Sequence, residues 1–326
     1  MKAYSPTSEG VRHNWTTDEI VALMTGPLDA LLDRAYTVHR QMAAQDVQQC
    51  ILLSVKTGGC PENCGYCSQS AHHETKLAAE PLLSVDQVME KAREAKARGA
   101  TRFCLGAAWR NIPQGERFER VLGMISGVAS LKMEVCCTLG MASGPQLKAM
   151  KEAGLTAYNH NLDTSREHYP KIVSTRSYDE RLDTLRAARD VGVQLCCGGI
   201  LGLGEDMRDR AAMLAELSAF DPHPESVPLN LLVPIDGTPL EEAKPVPFEE
   251  FLRMVATTRI VMPRSRVRLS AGRNELTDDQ QRQCFRAGAN SIFIGDKLLT
   301  TDNVAWERDQ ALLESSDSID AMPCTD

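Results

Sequence analysis

The sequence has no excess of basic charge, no apolar run long enough to cross a bilayer, no internal repeat and no low-complexity linker. Its 36 basic and 44 acidic side chains leave a formal net charge of −8, which argues against a nucleic-acid binder, a class usually marked by a basic face. No stretch approaches the roughly 18 apolar residues of a membrane span. Residues 1–19 are polar and lack the apolar centre of a signal peptide, so a cytoplasmic protein is expected. With 25% charged and 43% hydrophobic residues, wholesale disorder is excluded as well. The 326 residues fit two domains or one α/β barrel, with a core that needs no disulfides. What the chain does have is cysteine: 11 of them, an odd number in an expected reducing compartment. There, metal ligands, reactive thiols and core fillers are commoner than bridges.

Short apolar runs alternate with helical patterns from about residue 50 to residue 295. Strands are expected at 51–55, 102–106, 133–138, 157–161, 193–200, 227–233, 266–270 and 291–294, most of them bounded by Gly or Pro. A helix is expected at 84–98, where Ser84 and Gln87 make a capping-box pattern and Gly99 a stop signal. Further helices are expected at 117–130, 143–153, 178–191, 206–220, 247–261 and 277–287. Eight strands alternating with helices predict an α/β fold, a closed (β/α)8 TIM-type barrel over 50–299. An N-terminal helical extension over 1–49 precedes it, and a mobile C-terminal tail over 300–326 follows. A doubly wound open sheet is the alternative, but no Gly-x-Gly-x-x-Gly follows the first strand.

Cys60, Cys64 and Cys67 form C-x-x-x-C-x-x-C in the loop after the first strand, kept tight by Gly58, Gly59, Pro61 and Gly65. Thiolates at this spacing can converge on a cube-shaped 4Fe–4S cluster. Three ligands for four irons leave one iron open to a substrate or cofactor. Two plainer readings stand beside this one: inert loop thiols, or a zinc site with His72 or His73 as its fourth ligand. The pattern, with Tyr66 before its last cysteine, resembles that of the radical S-adenosylmethionine superfamily. The resemblance implies that the open iron chelates S-adenosylmethionine, which the reduced cluster cleaves to methionine and a 5′-deoxyadenosyl radical.

Strand parity sorts the remaining cysteines. Successive side chains of a barrel strand face alternately the interior and the surrounding helices, and the helix side must be apolar. In the second strand Phe103 and Leu105 oppose Arg102, Cys104 and Gly106; in the third, Met133, Val135 and Cys137 oppose Glu134, Cys136 and Thr138. In the fifth, Val193, Leu195 and Cys197 oppose Gln194, Cys196 and Gly198; in the seventh, Val267 and Leu269 oppose Arg266, Arg268 and Ser270. Asn159, Asn161 and Asp163 share one face, and Asn230 opposes Leu229 and Leu231. The interior is therefore expected to carry Cys104, Cys136, Cys196, Arg268, Asn161, Asp163 and Asn230. Barrel interiors are ordinarily filled with Val, Ile and Leu, and a dry core of this polarity would leave groups unsatisfied. It reads as a ligand cavity with a second metal site, although a single inward cysteine could be a small apolar filler.

The segments 57–69, 102–109, 136–140, 158–163, 196–205, 226–230 and 267–273 together make the chain resemble the biotin synthase family of that superfamily. The resemblance implies that Cys60, Cys64 and Cys67 hold a 4Fe–4S cluster. It implies that Cys104, Cys136, Cys196 and Arg268 hold a 2Fe–2S cluster, with Arg268 a true ligand despite the permanent charge that argues against it. It also places Asn161 and Asp163 at the S-adenosylmethionine ribose and the substrate ureido ring, and Asn230 beside the substrate. Tyr66 and the Gly198-x-Ile200-x-Gly202-x-x-Glu205 pattern would lie on the adenine side. The implied reaction is sulfur insertion into dethiobiotin by a sulfurtransferase, with sulfur from the 2Fe–2S cluster, an electron donor such as flavodoxin or ferredoxin, and a homodimeric assembly. Two other classes remain: a hydro-lyase using the open iron as a Lewis acid, which leaves the inward cysteines unexplained, and an iron–sulfur carrier, which predicts no small-molecule cavity. His160, Asp278–Asp279 and Glu241–Glu242 are read as structural, Cys137 and Cys197 as outward-facing, and Cys50, Cys284 and Cys324 as fillers or free thiols.

Overall fold

The computed structural model describes residues 11–316. Two helices, α1 (Thr17–Thr25) and α2 (Leu28–Met42), form the extension; Thr16 and Glu19 close a capping box on α1. The barrel then runs β1 (Gln48–Lys56), α3 (Val85–Ala97), β2 (Arg102–Ala107), α4 (Glu116–Ser130), β3 (Glu134–Thr138), α5 (Gly144–Glu152) and β4 (Ala157–Asn159). It continues through α6 (Tyr169–Ile172), α7 (Tyr178–Asp190), β5 (Gln194–Cys196), β6 (Gly199–Leu201), α8 (Met207–Ser218), β7 (Ser226–Leu231), α9 (Phe248–Val261), β8 (Arg266–Leu269), α10 (Asp278–Arg286), β9 (Ser291–Phe293) and α11 (Trp306–Ser316). α1 packs on α8 and α2 on α9.

All strand pairings are parallel, in the order β5-β4-β3-β2-β1-β9-β8-β7-β6, and β5 also pairs with β7 to close the cylinder. β5 and β6 are successive halves of one stave, so nine described strands fill the eight expected positions. The single strand expected at 193–200 breaks at Gly198, where a Cβ would come within 1.9 Å of the Pro228 carbonyl oxygen. The chain kinks there to let the two backbones pass.

Helices begin where their caps predict. Ser84 and Gln87 close the box on α3, and Ser143, Ser177, Asp206 and Thr277 do the same for α5, α7, α8 and α10. Asp278 and Asp279 are the first-turn acids of α10, and Glu241 and Glu242 lie in an exposed turn. The segment expected to be a tail from residue 300 contains a helix, α11. It is anchored by the fully buried Asp309, whose carboxylate pairs with Arg273 at 2.6 Å. Residues 317–326, Cys324 among them, lie outside the described residues.

The buried side chains divide as parity requires. One core, between strands and helices, contains Phe103, Leu105, Val135, Cys137, Leu195, Cys197, Val267 and Leu269. A second, inside the barrel, gathers Cys50, Cys104, Cys136, Ala157, Cys196, Phe293 and Leu298.

Candidate active site

All seven expected metal-binding residues line one cavity of about 340 Å³, inside the barrel and among the loops that leave the strand C-termini. The cluster loop leaves β1 through Gly58, whose φ of +68° suits glycine and whose Cβ would lie 3.0 Å from the Ala79 Cα. It then folds back on itself: the Cys60 N–H donates to Gln69 O at 2.8 Å, Ala71 N–H to Cys60 O at 2.7 Å and Cys67 N–H to Cys64 O at 3.0 Å. Its outer side is pinned to the segment after α6. Asn63 Oδ1 accepts from the Ser174 and Thr175 N–H groups at 3.0 and 3.2 Å, and buried Glu62 pairs with Arg110 at 2.7 Å.

The zinc alternative finds no support in this loop. The ring Nε2 atoms of His72 and His73 are engaged by the carbonyls of Pro61 and Cys64, at 3.1 and 2.9 Å. Among the described residues no group of three or more His, Cys, Asp or Glu is arranged to hold a single metal ion. Zinc requires four donors within about 2.3 Å of one point, whereas thiolates around an iron–sulfur cluster are spread over separate irons.

The second set lies deeper. Cys104 and Cys136 are register partners on β2 and β3, and Cys196 pairs with Asn159 across β5 and β4. All three are buried and pack together in the interior core. Arg268 reaches in from β8. Its Nη1 lies 3.6 Å from Cys196 Sγ, its Nε donates to Ser291 Oγ at 2.9 Å, and the guanidinium stacks 4.9 Å from the Phe293 ring centre. Burial raises the Cys60 and Cys64 thiols and pushes Cys67 up to about 12. Hydrogen bonding to the neighbouring thiol, followed by burial, raises Cys196; Cys136 is raised first by its contact with Cys104. Thiols in such surroundings become thiolates against a strongly positive core, and iron supplies one. The donor sets therefore fit two iron–sulfur clusters.

Between the two sets runs a polar seam. Tyr66 Oη donates to Asp163 Oδ2 at 2.8 Å, and Arg181 from α7 donates to the same oxygen, to Asn161 O at 2.6 Å and to Tyr169 Oη at 2.7 Å. Asp163 adopts φ +68°, an uncommon conformation for a non-glycine residue that these partners hold in place. Burial, reinforced by the Asp163 charge, keeps Tyr66 protonated. Asn161 Oδ1 accepts from Gly198 N–H at 3.2 Å, and Asn230 spans Gly199 O and Ala271 N–H at 2.9 and 3.2 Å. The structure brings Tyr66, Asn161, Asp163, Ile200 and Asn230 to the cavity wall. It does not bring Gly198, Gly202 or Glu205 there. Glu205 instead accepts from the Gly202 N–H at 3.0 Å and pairs with Arg210 at 2.8 Å, bracing the exit from β6.

Sequence reasoning missed Arg181 and Arg176, both on the wall. Arg181 had one signal: it shares the buried stripe of α7 with Tyr178, Leu182 and Leu185, where an arginine is out of place unless paired. His160, read as structural, is buried on the wall with Nε2 unpartnered, and burial and the nearby Arg181 and Arg176 keep it neutral. Leu298, Leu299, Thr300 and Thr301 also line the cavity, with Thr300 Oγ1 3.0 Å from Ser68 Oγ.

This geometry has relatives. Residues 54–217 match the model of the radical SAM superfamily, and residues 228–319 match the biotin and thiamin synthesis associated domain. Among solved structures the fold resembles methylornithine synthase (TM-score 0.78, 19% identity, covering 95% of this chain and 94% of that one). It also resembles the FeFe-hydrogenase maturase HydG of Carboxydothermus hydrogenoformans (TM-score 0.77, 15% identity, covering 93% and 75%). A biotin synthase of Sorangium cellulosum is 55% identical over 96% of this chain and 90% of its own length. One from Methylobacterium is 56% identical over 96% and 95%. Identity of that order along nearly the whole of both chains, together with both family models, makes the chain a member of the biotin synthase family within the radical S-adenosylmethionine superfamily.

Proposed function

We propose that this enzyme is a sulfurtransferase that inserts one sulfur atom between two unactivated carbons of dethiobiotin to form biotin. The observation that carries the reading is that a three-thiol loop and a three-thiol, one-guanidinium set open onto one cavity of about 340 Å³. A carrier would have no use for such a cavity, and a hydro-lyase would have no use for the deeper thiols. When bound, the 4Fe–4S cluster with S-adenosylmethionine supplies a carbon radical able to break unactivated C–H bonds, and the 2Fe–2S cluster supplies the sulfur. Cys60, Cys64 and Cys67 would hold the first, and Cys104, Cys136, Cys196 and Arg268 the second.

The chain's other residues bind, orient and exclude. Asp163, fixed by Tyr66 and Arg181, offers its carboxylate to ribose hydroxyls, with Ile200 packing beside the adenine. Gly198, Gly202 and Glu205 support that side by shaping the backbone. Asn161 and Asn230 present amide groups matched to the ureido ring, which an analogue lacking those hydrogen bonds would leave unpaired. Segment 298–301 lines the cavity and helps to exclude water and oxygen. We take residues 50–299 as the catalytic unit of a cytoplasmic homodimer that receives electrons from a flavodoxin- or ferredoxin-like protein. Among the described residues no helix is long and apolar enough to cross a membrane.

The test is anaerobic: reconstituted, reduced protein is given S-adenosylmethionine and dethiobiotin, and 5′-deoxyadenosine and biotin are measured. Both should form. An intact cluster that yields no 5′-deoxyadenosine overturns the radical reading. Cys136→Ala should remove the 2Fe–2S optical signature and spare the 4Fe–4S one; an unchanged spectrum overturns the assignment of the deeper ligands.

A further inference from the structure

Cys50 is a fully buried thiol that the ligand assignment leaves unused, yet it belongs to the same interior cluster as Cys104, Cys136 and Cys196. It lies on β1, opposite Arg102 of β2 on one side and Phe293 of β9 on the other. Its sulfur shares both hydrogen-bonding partners with Arg268. Cys50 Sγ lies 3.6 Å from Gln48 Oε1 and 3.7 Å from Ser291 Oγ. Arg268 Nη2 donates to the same Gln48 oxygen at 3.3 Å, and its Nε to the same serine at 2.9 Å. Ser291 Oγ also donates to Gln48 Oε1 at 3.2 Å, closing the bracket. A second, independent observation points to the same place. Arg102 is buried beside these cysteines, its Nε committed to Glu134 at 2.8 Å while its Nη1 has no partner. A buried guanidinium N–H without an acceptor calls for one, which a thiolate ligand shell in this core would supply.

We propose that Cys50 is a reserve thiolate for the 2Fe–2S cluster, able to replace Arg268 on the iron that Arg268 would hold. The inference rests on the second ligand set proposed above. The exchange balances without any redox partner. The Fe–N bond to a neutral guanidine breaks, an Fe–S bond to Cys50 forms, and the thiol proton passes to the released Arg268, which becomes a guanidinium. One neutral pair is exchanged for one thiolate–guanidinium pair, so the dry interior gains no net charge, and the released cation stays beside the anion it created. Gln48 and Ser291 would serve both arrangements, which is why sulfur and guanidinium share them.

The experiment uses anaerobically reconstituted full-length protein in four forms: the unaltered chain, Cys50→Ser, Arg268→Ala and the double variant. Iron and sulfide per chain and the Fe–S stretching bands by resonance Raman are read in each, with the 4Fe–4S signature reporting that the barrel is folded. The unaltered chain and Cys50→Ser should hold the second cluster with the same bands. Arg268→Ala should retain it with bands shifted to those of an all-thiolate 2Fe–2S centre, and the double variant should lose at least half of it or lose the shifted bands. Loss of the second cluster from Arg268→Ala, or identical content and bands in Arg268→Ala and the double variant, overturns the proposal. If the unaltered chain itself shows no second cluster, or Cys136→Ala leaves it unchanged, the failure lies with the ligand assignment beneath it.

Discussion

The chemistry of the cavity wall turns on single hydrogen bonds. Asp163 Oδ2 is shared by Tyr66 and Arg181, so Tyr66→Phe leaves the carboxylate charge-paired but less firmly aimed. Losing one such bond costs about 1 kcal/mol. S-adenosylmethionine affinity, measured by equilibrium binding to the reconstituted protein, should fall about fivefold while the 4Fe–4S absorbance stays unchanged. An unaltered affinity would remove Tyr66 from the binding role. Another residue sets an acid limit on the fold. His223 is buried against His13, ring centres 4.3 Å apart, with Asp221 near the pair. Burial first, then the charge of His13, lowers its pKa to about 4 from 6.5. The unfolded chain therefore binds the proton first as pH falls. The stability this neutral ring contributes is complete above about 6.5 and is lost between there and about 4. His223→Gln should flatten the slope of Tm against pH in that window, as read by thermal unfolding; a parallel slope would assign the acid sensitivity elsewhere.

Elements show where sequence pattern suffices and where it stops. Alternation along a strand is geometric, so the opposite placement of Cys136 and Cys137, or of Cys196 and Cys197, is legible in the residue pattern alone and appears in the fold as two separate cores. Helix starts are legible because a cap and its partner lie three residues apart. The break between β5 and β6 is not, because Gly198 yields to Pro228 from another stave. Helix α11 is hidden for the same reason: its anchor, Asp309, finds Arg273 from the segment after β8. Burial raises the Asp309 carboxyl while Arg273 opposes the rise. Asp309→Ala should destabilise the protein by about 3–5 kcal/mol, since it strands a buried guanidinium. Replacing both partners, as Asp309→Leu with Arg273→Leu, should cost less than the single change. Denaturant unfolding of the three chains checks this, and equal losses would mean that the pair acts through packing alone.

At the scale of the whole barrel, the two cores have different dependencies. The layer between strands and helices is apolar and closed, and it accounts for the secondary structure by itself. The interior carries thiols, arginines and amides around a cavity of about 340 Å³, where other barrels stack branched aliphatic side chains. Its stability therefore depends on what binds there. A group held by the folded state and not by the unfolded one stabilises by about 2.7 kcal/mol at a hundredfold excess over its dissociation constant, which in a chain of this length is a rise in Tm of about 4 °C. Anaerobic reconstitution with iron and sulfide should give such a rise, and chelation should reverse it, with far-ultraviolet circular dichroism unchanged because the outer core is already complete. Cys136→Ala should keep the part of the rise due to the outer cluster and lose the rest. Equal Tm values for the loaded and stripped protein would mean that the interior is stable without its clusters, and that its polar lining serves catalysis alone.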